Sequence, residues 1–480
     1  MHPKADDANI IRYYAGLICG HVKIIFMKKT IGSPQDHFYA RSNIVPLPLI
    51  VRAAGVRMWD EHGREYIDLS SGPVVSNIGH GNERVAEAMA QQARTMDFAY
   101  SRVARHQPNM DLTGMISALA GEGYESVALA SGGSEAMEIA LKFLRQYVVA
   151  TGNASRKKII TLSPSYHGGT IATLGITGDP DLDTFLDGFA IKSERIPAPW
   201  QYRLPEGETA QGFRMKCADA LEEKIHELGA ENVLCFVVEP IGGLATGAMP
   251  MEPDYLNRIR QICTRYGIYL VYDEILCGTG RSGDFLASHC FPDARADLVV
   301  LAKGLGSGYA PLGAVLMPGA MVDELAERTG FNYSHTYNAN PISCAVGVAV
   351  LKEYQDHGLM ENARLRGAQI KSGLEKLALS HRVIGDVRGR GLLLGVELVT
   401  SQRSKEKFPP DFPPTEHIRR CGLNHGLIIY SRRTANGKNG DWFIVAPPLT
   451  ITEDETNELL ERLSATLHEF ETLASSYLET

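Results

Sequence analysis

Lys303 stands where an apolar run, Asp297-Leu298-Val299-Val300-Leu301-Ala302, meets a turn carrying Gly304, Gly306 and Gly308. The run has the make-up of a strand buried on both faces, and the glycines stop it from continuing, so one amine is left at a strand end. Held away from bulk water, such an amine has the lowered pKa that a Schiff-base lysine needs. Strand-end lysines are more often packing residues whose stem lies on apolar surface while the head reaches solvent, so Lys303 alone decides nothing. A second run, Ile268-Tyr269-Leu270-Val271-Tyr272, delivers Asp273 and Glu274 to its carboxyl end, ahead of the loop Gly278-Thr279-Gly280-Arg281-Ser282-Gly283. Ligands of open parallel sheets sit at strand carboxyl ends, so Asp273 and Lys303, thirty positions apart, can face one ligand. An acid and an amine so placed are what pyridoxal phosphate uses. The amine carries its aldehyde, and the carboxylate keeps its pyridine nitrogen protonated so that the ring can accept carbanion electrons.

The elements that position this pair are legible along the chain. Glu125 to Ala130 reads as a strand, followed by Ser131-Gly132-Gly133-Ser134-Glu135 and a helix with Met137, Ala140, Leu144 and Tyr147 on one face. A strand, a glycine turn and a helix N-terminus make an anion site, although Ser and Gly also cap helices that bind nothing. Lys158 to Leu162 is the next strand and leads to Tyr166-His167-Gly168, where an aromatic ring could stack on a flat ligand or simply pack. Val233 to Val238 ends in Glu239-Pro240, and Gly313 to Met317 is a returning strand. Val56 to Asp60 and Tyr66 to Leu69, joined through Glu61-His62-Gly63, read as a hairpin. Strands are expected around Val387 to Leu398 and Gly426 to Tyr430, separated by a proline-rich loop from Ser401 to Pro414. Thr452 and Glu455 form a capping box before a last helix that buries Leu459, Leu463, Leu467 and Phe470.

Composition narrows the partners. A chain of 480 residues, 44% hydrophobic, can bury a large core and divide into two or more domains. A net charge of -8 with no long basic stripe argues against nucleic acid. The eight cysteines are scattered, with no CxxC pair and no metal-ligand spacing to His, as in a reduced cytoplasmic protein. Ile10 to Phe26 is interrupted by Arg12, His21 and Lys23, which spoils a membrane helix, and Asp6 and Asp7 spoil a signal peptide. Residues 1–26 are therefore read as a leader outside the core, with Met27 resembling an ordinary start.

Taken together these motifs resemble the class III aminotransferases, which are fold-type I pyridoxal-phosphate enzymes, from about Ile44 to the C-terminal helix. The resemblance implies an α/β fold: a large domain on a central, mostly parallel seven-stranded sheet, with a smaller α+β domain built from both chain ends. The expected division is 27–84 toward the small domain, 85–340 as the large cofactor domain and 341–480 as the C-terminal small domain. Carried over residue by residue, Lys303 is the Schiff-base lysine and Asp273 the pyridine partner. Tyr166 and Ile275 sandwich the ring, Gly133 and Ser134 hold the phosphate, and His167 and Glu239 lie against the cofactor. Asp68 to Gly81 matches the segment lining the substrate pocket. Thr336 takes the place from which these enzymes reach the other subunit's phosphate, which implies a homodimer.

Two departures bear on substrate. The chain is similar to dialkylglycine decarboxylase over Ile196 to Pro199, Asp386 to Gly391 and Ala446 to Thr450. Yet Ile444 replaces that enzyme's carboxylate-holding arginine and Pro73 its pocket glutamine, and an apolar side chain cannot hold a carboxylate. Asp273 to Gly278, with Leu276-Cys277, instead resembles the omega-amine:pyruvate transaminases, which transfer an amino group from an amine or omega-amino acid to a 2-oxo acid such as pyruvate. Their mobile arginine falls on Gly437 here, leaving Arg432, Arg433 and Lys438, read as one glycine-bearing loop, as candidate carboxylate cations or as a plain solvated turn. The rival readings are a decarboxylating or racemising relative and a catalytically inactive homologue acting as a binding protein.

Overall fold

The apolar runs form the strands expected of them, and their order builds the site. The computed structural model describes residues 47–479, so the leader expected over 1–26 lies outside the described residues. In chain order the strands are β1 (Ile50–Ala54), β2 (Arg57–Asp60), β3 (Glu65–Asp68), β4 (Ser126–Ala130), β5 (Lys158–Ser163), β6 (Glu194–Pro197), β7 (Val233–Val238) and β8 (Tyr269–Asp273). They continue with β9 (Leu298–Leu301), β10 (Gly313–Met317), β11 (Ile384–Arg390), β12 (Leu393–Leu398), β13 (Leu427–Ile428), β14 (Tyr430–Thr434) and β15 (Gly440–Val445). The central sheet is seven-stranded, ordered β4-β10-β9-β8-β7-β5-β6. Only β10 runs against its neighbours, pairing antiparallel with both β4 and β9.

Both faces of this sheet are covered, which is why its strands read as continuous apolar runs. The two-residue period sorts them: Val237, Val271, Val300 and Val315 pack with the helix Gly133–Ala150. Phe236, Leu270, Val299 and Leu316 pack into the core on the other side, which the helices Ala210–Leu228 and Pro253–Tyr266 cover. The parallel strands β7, β8 and β9 therefore end at the same edge with their backbones held by buried side chains.

Two four-stranded sheets come from the chain ends: β1-β2-β3-β13, and the antiparallel β11-β12-β15-β14. The hairpin β2–β3 and the capping box at Thr452 and Glu455 are as the sequence predicts. The strand expected over Gly426 to Tyr430 is two strands. Leu427 and Ile428 extend the first sheet beside β3, and from Tyr430 the chain enters the other sheet beside β15.

That last sheet encloses charge. Glu397 on β12 is buried and accepts from Arg203 Nη2 at 2.5 Å and Arg388 Nη1 at 2.7 Å. Asp441 on β15 is buried with neither carboxylate oxygen hydrogen-bonded, and its nearest cation, Arg433 Nε, is 3.6 Å away. Burial outweighs that cation and pushes Asp441 up to about 6. The folded state then holds the proton more tightly than the unfolded chain does. The stability this group contributes is present at acid pH and is lost as pH rises from about 4 to about 6. Asp441→Asn needs no proton, so relative to wild type it should gain roughly 1–2 kcal/mol between pH 5 and pH 8 in paired urea titrations. A pH-independent difference would show that the carboxylate titrates alike in both states.

Candidate active site

Strand ends β8 and β9 deliver Asp273 and Lys303 to one cavity of about 590 Å³, which Tyr166, His167, Glu239 and Arg432 also line. Lys303 follows β9 with only Ala302 between and adopts φ +43°, a left-handed conformation rare for a residue with a side chain and found where a fold holds a functional group in place. Burial lowers its ammonium pKa, and the carboxylates of Asp273 and Glu239 pull it partly back. The amine is thus biased toward the neutral, nucleophilic form.

Asp273 is oriented from two sides. Its Oδ1 accepts from the Ile275 N–H at 3.1 Å, and its Oδ2 accepts from His167 Nδ1 at 2.9 Å. His167 is fully buried, and its Nε2 has no hydrogen-bond partner among the described residues. Glu274, delivered by the same strand, turns the other way and accepts from the Ala287 and Ser288 N–H groups. It anchors a loop and does not line the cavity. Glu239 is a buried acid rather than a solvated one: it accepts from Tyr166 N at 3.2 Å and Gly243 N at 2.7 Å, and burial raises its pKa.

Across the cavity lies an anion seat. The helix Gly133–Ala150 begins after Gly132 with no side-chain cap, so backbone N–H groups and the positive helix end face the cavity. Ser131 Oγ is buried there without a partner among the described residues, and Ser134 Oγ accepts from Gly169 N at 2.9 Å. A methyl group at Gly133 would come to 3.0 Å from the Ile275 side chain, tighter than ordinary contact, so a larger residue would crowd the turn against it. Pro73 and Val75 complete the wall from the segment expected to line the pocket.

The three candidate cations separate. The expected loop is strand β14, whose residues alternate: Tyr430 and Arg432 line the cavity. Arg433 points away and donates to the carbonyls of Phe412, Phe408 and Pro409. Lys438 is exposed beyond the strand and is not among the lining residues. The polar run Tyr-Ser-Arg-Arg-Thr carries no apolar alternation, because neither face meets the hydrophobic core, and so it reads as a loop. Thr336 is exposed and does not line this chain's cavity. Sequence reasoning missed Ser131, Tyr430 and Asp179. Asp179 forms an ion pair with Arg432 across 253 positions, a separation that leaves no sequence signal. Among the described residues no group of three or more His, Cys, Asp or Glu could hold a metal, and no helix is long and apolar enough to cross a membrane.

Comparison with known proteins gives one consistent answer. The family model for aminotransferase class-III matches residues 38–467. The chain is 34% identical to the aminotransferase YodT of Bacillus subtilis over 423 residues, covering 88% of this chain and 95% of that one. It is 31% identical to the putrescine–pyruvate aminotransferase of Pseudomonas aeruginosa over 426 residues, covering 88% and 91%. The omega transaminase of Pseudomonas jessenii, solved in complex with PMP, superposes with a TM-score of 0.85 at 28% identity, covering 92% of this chain and 97% of that one.

Proposed function

The chain belongs to the class III aminotransferases, and on that premise we propose that it transfers an amino group from an amine or omega-amino acid to a small 2-oxo acid such as pyruvate. Pyridoxal 5′-phosphate is the cofactor of this reading. The observation that carries it is the convergence of Lys303, the Asp273–His167 pair and an uncapped helix N-terminus on one cavity.

The residues fit the group. A cradle that a Cβ at Gly133 would crowd, and an orphaned buried hydroxyl at Ser131, suit a phosphate held by Gly133, Ser134 and the backbone N–H groups. Asp273, oriented by His167 and Ile275 N, suits a protonated pyridine nitrogen, and Tyr166 and Ile275, which both line the cavity, would hold the ring between them. When bound, the cofactor supplies an electron sink for charge that develops at the substrate carbon. Lys303 Nζ takes the proton from that carbon and returns it, a task its lowered pKa suits. Arg432, as the strand-borne cation of the wall, receives the substrate carboxylate.

A homodimer, with exposed Thr336 reaching the other subunit's phosphate, belongs to the same reading, as do a cytoplasmic location and a large domain over 85–340 flanked by 27–84 and 341–480. Pro73 lines the cavity and Ile444 is buried in the apolar cluster with Trp442, so neither supplies the polar group that decarboxylation would need there, which favours transamination. The test is to incubate the purified protein with pyridoxal phosphate, pyruvate and a panel of amines and omega-amino acids, reading alanine. Alanine formed in step with loss of donor amine is expected. Carbon dioxide released from an amino acid donor in step with alanine would favour the decarboxylating alternative, and no turnover with any donor the inactive one.

A further inference from the structure

Arg432 is fixed from two directions. Its backbone is paired in β14 opposite Trp442 of β15, and its Nη2 donates to Asp179 Oδ2. Asp179 is 2% exposed, whereas the Arg432 side chain is 26% exposed and opens on the cavity.

The segment carrying Asp179 is tied to the frame that positions Asp273. Thr177 Oγ1 accepts from His167 N at 3.0 Å, and Gly178 N donates to Ser165 Oγ at 3.0 Å. A methyl group at Gly178 would lie 1.9 Å from the Leu162 carbonyl, so this turn is pressed against the end of β5. Arg195 clamps its other side, donating to the Thr177 carbonyl at 2.9 Å and to both Asp183 oxygens at 2.8 Å.

We propose that Asp179 is a specificity-determining positioning residue: it holds Arg432 as a fixed receptor for the carboxylate of the 2-oxo acid. A free arginine must give up rotamer freedom each time it binds an anion. One already paired through Nη2 to a buried carboxylate has lost that freedom on folding and keeps its remaining donors for the cavity. The pair also compensates the arginine's charge, so an amine without a carboxylate enters a wall with no net cation. A static pair thereby admits both substrate types on β14, where a movable side chain is not needed.

The inference rests on Arg432 being the carboxylate receptor, and the experiment separates the two claims. Asp179→Asn, Asp179→Glu and Arg432→Gln are loaded with pyridoxal phosphate, and each half-reaction is followed by stopped-flow with pyruvate and with an amine lacking a carboxylate. Arg432→Gln should raise KM for pyruvate about 10- to 150-fold, the loss of one charged hydrogen bond, and spare the amine. Asp179→Asn should raise the same KM roughly 10-fold with little change in kcat and none in the amine half-reaction, with partial recovery in Asp179→Glu. In the Arg432→Gln background the Asp179→Asn effect should vanish. A lower KM for pyruvate in Asp179→Asn would overturn the proposal by showing that Asp179 competes with the carboxylate. Equal losses in both half-reactions would reduce Asp179 to a structural role. An unchanged KM in Arg432→Gln would overturn the receptor reading itself.

Discussion

Lys303→Ala is expected to lose transamination by at least about 10³-fold while still binding pyridoxal phosphate, now without a covalent bond that borohydride can fix. Among the described residues no other lysine lines the cavity, so the side chain stands alone in its role there. Its φ of +43° and its place after a fully buried strand belong to the backbone, so the substitution removes the amine without undoing the turn. An alanine there still meets the strain of a left-handed residue, which costs about 1 kcal/mol and leaves the fold intact. Retention of the phosphate seat is the control: titration of cofactor absorbance should give an affinity weakened only by loss of the covalent link. Wild-type turnover in Lys303→Ala would remove Lys303 from the reaction.

Asp273→Asn is the second large effect, and it isolates charge from shape. The amide oxygen can still accept from Ile275 N, so stability should stay within about 1 kcal/mol of wild type. Its amide nitrogen, however, meets His167 Nδ1, and no anion remains to hold a proton on a pyridine nitrogen. Loss of a preorganised charge of this kind is worth roughly 10²–10³-fold in kcat. The check is steady-state kcat beside a urea midpoint on the same preparation. An unchanged kcat would count against the pyridine-partner role, and a collapsed midpoint would mean the carboxylate serves the fold.

The parts of this protein that could be read from its sequence share a physical cause. Strands β7 to β9 are buried on both faces, so each is a short, unmixed apolar run with a recognisable end, and residues at or just past that end line the cavity. Asp273, Lys303 and Glu239 were legible for that reason, and the glycine turn before Gly133 because an uncapped helix start needs small residues. Arg432 was placed on a loop because a strand whose faces are polar shows no period. Glu274, the residue after Asp273, turns to the opposite side as strand alternation requires, but its partners, the Ala287 and Ser288 N–H groups, carry no local signal. The Asp179–Arg432 pair and the burial of Asp441 depend on contacts between distant segments and carry no local signal at all.

The central claim is that Lys303 is the residue to which pyridoxal phosphate attaches. The most direct measurement is to load the purified protein with the cofactor, reduce it with borohydride, digest it and locate the phosphopyridoxyl group by mass spectrometry. The expected result is a single modified peptide, with the group on Lys303, and its disappearance when an amine donor is added before the borohydride. A group on any other lysine, or a protein that takes up cofactor and yields no modified peptide, would contradict the account.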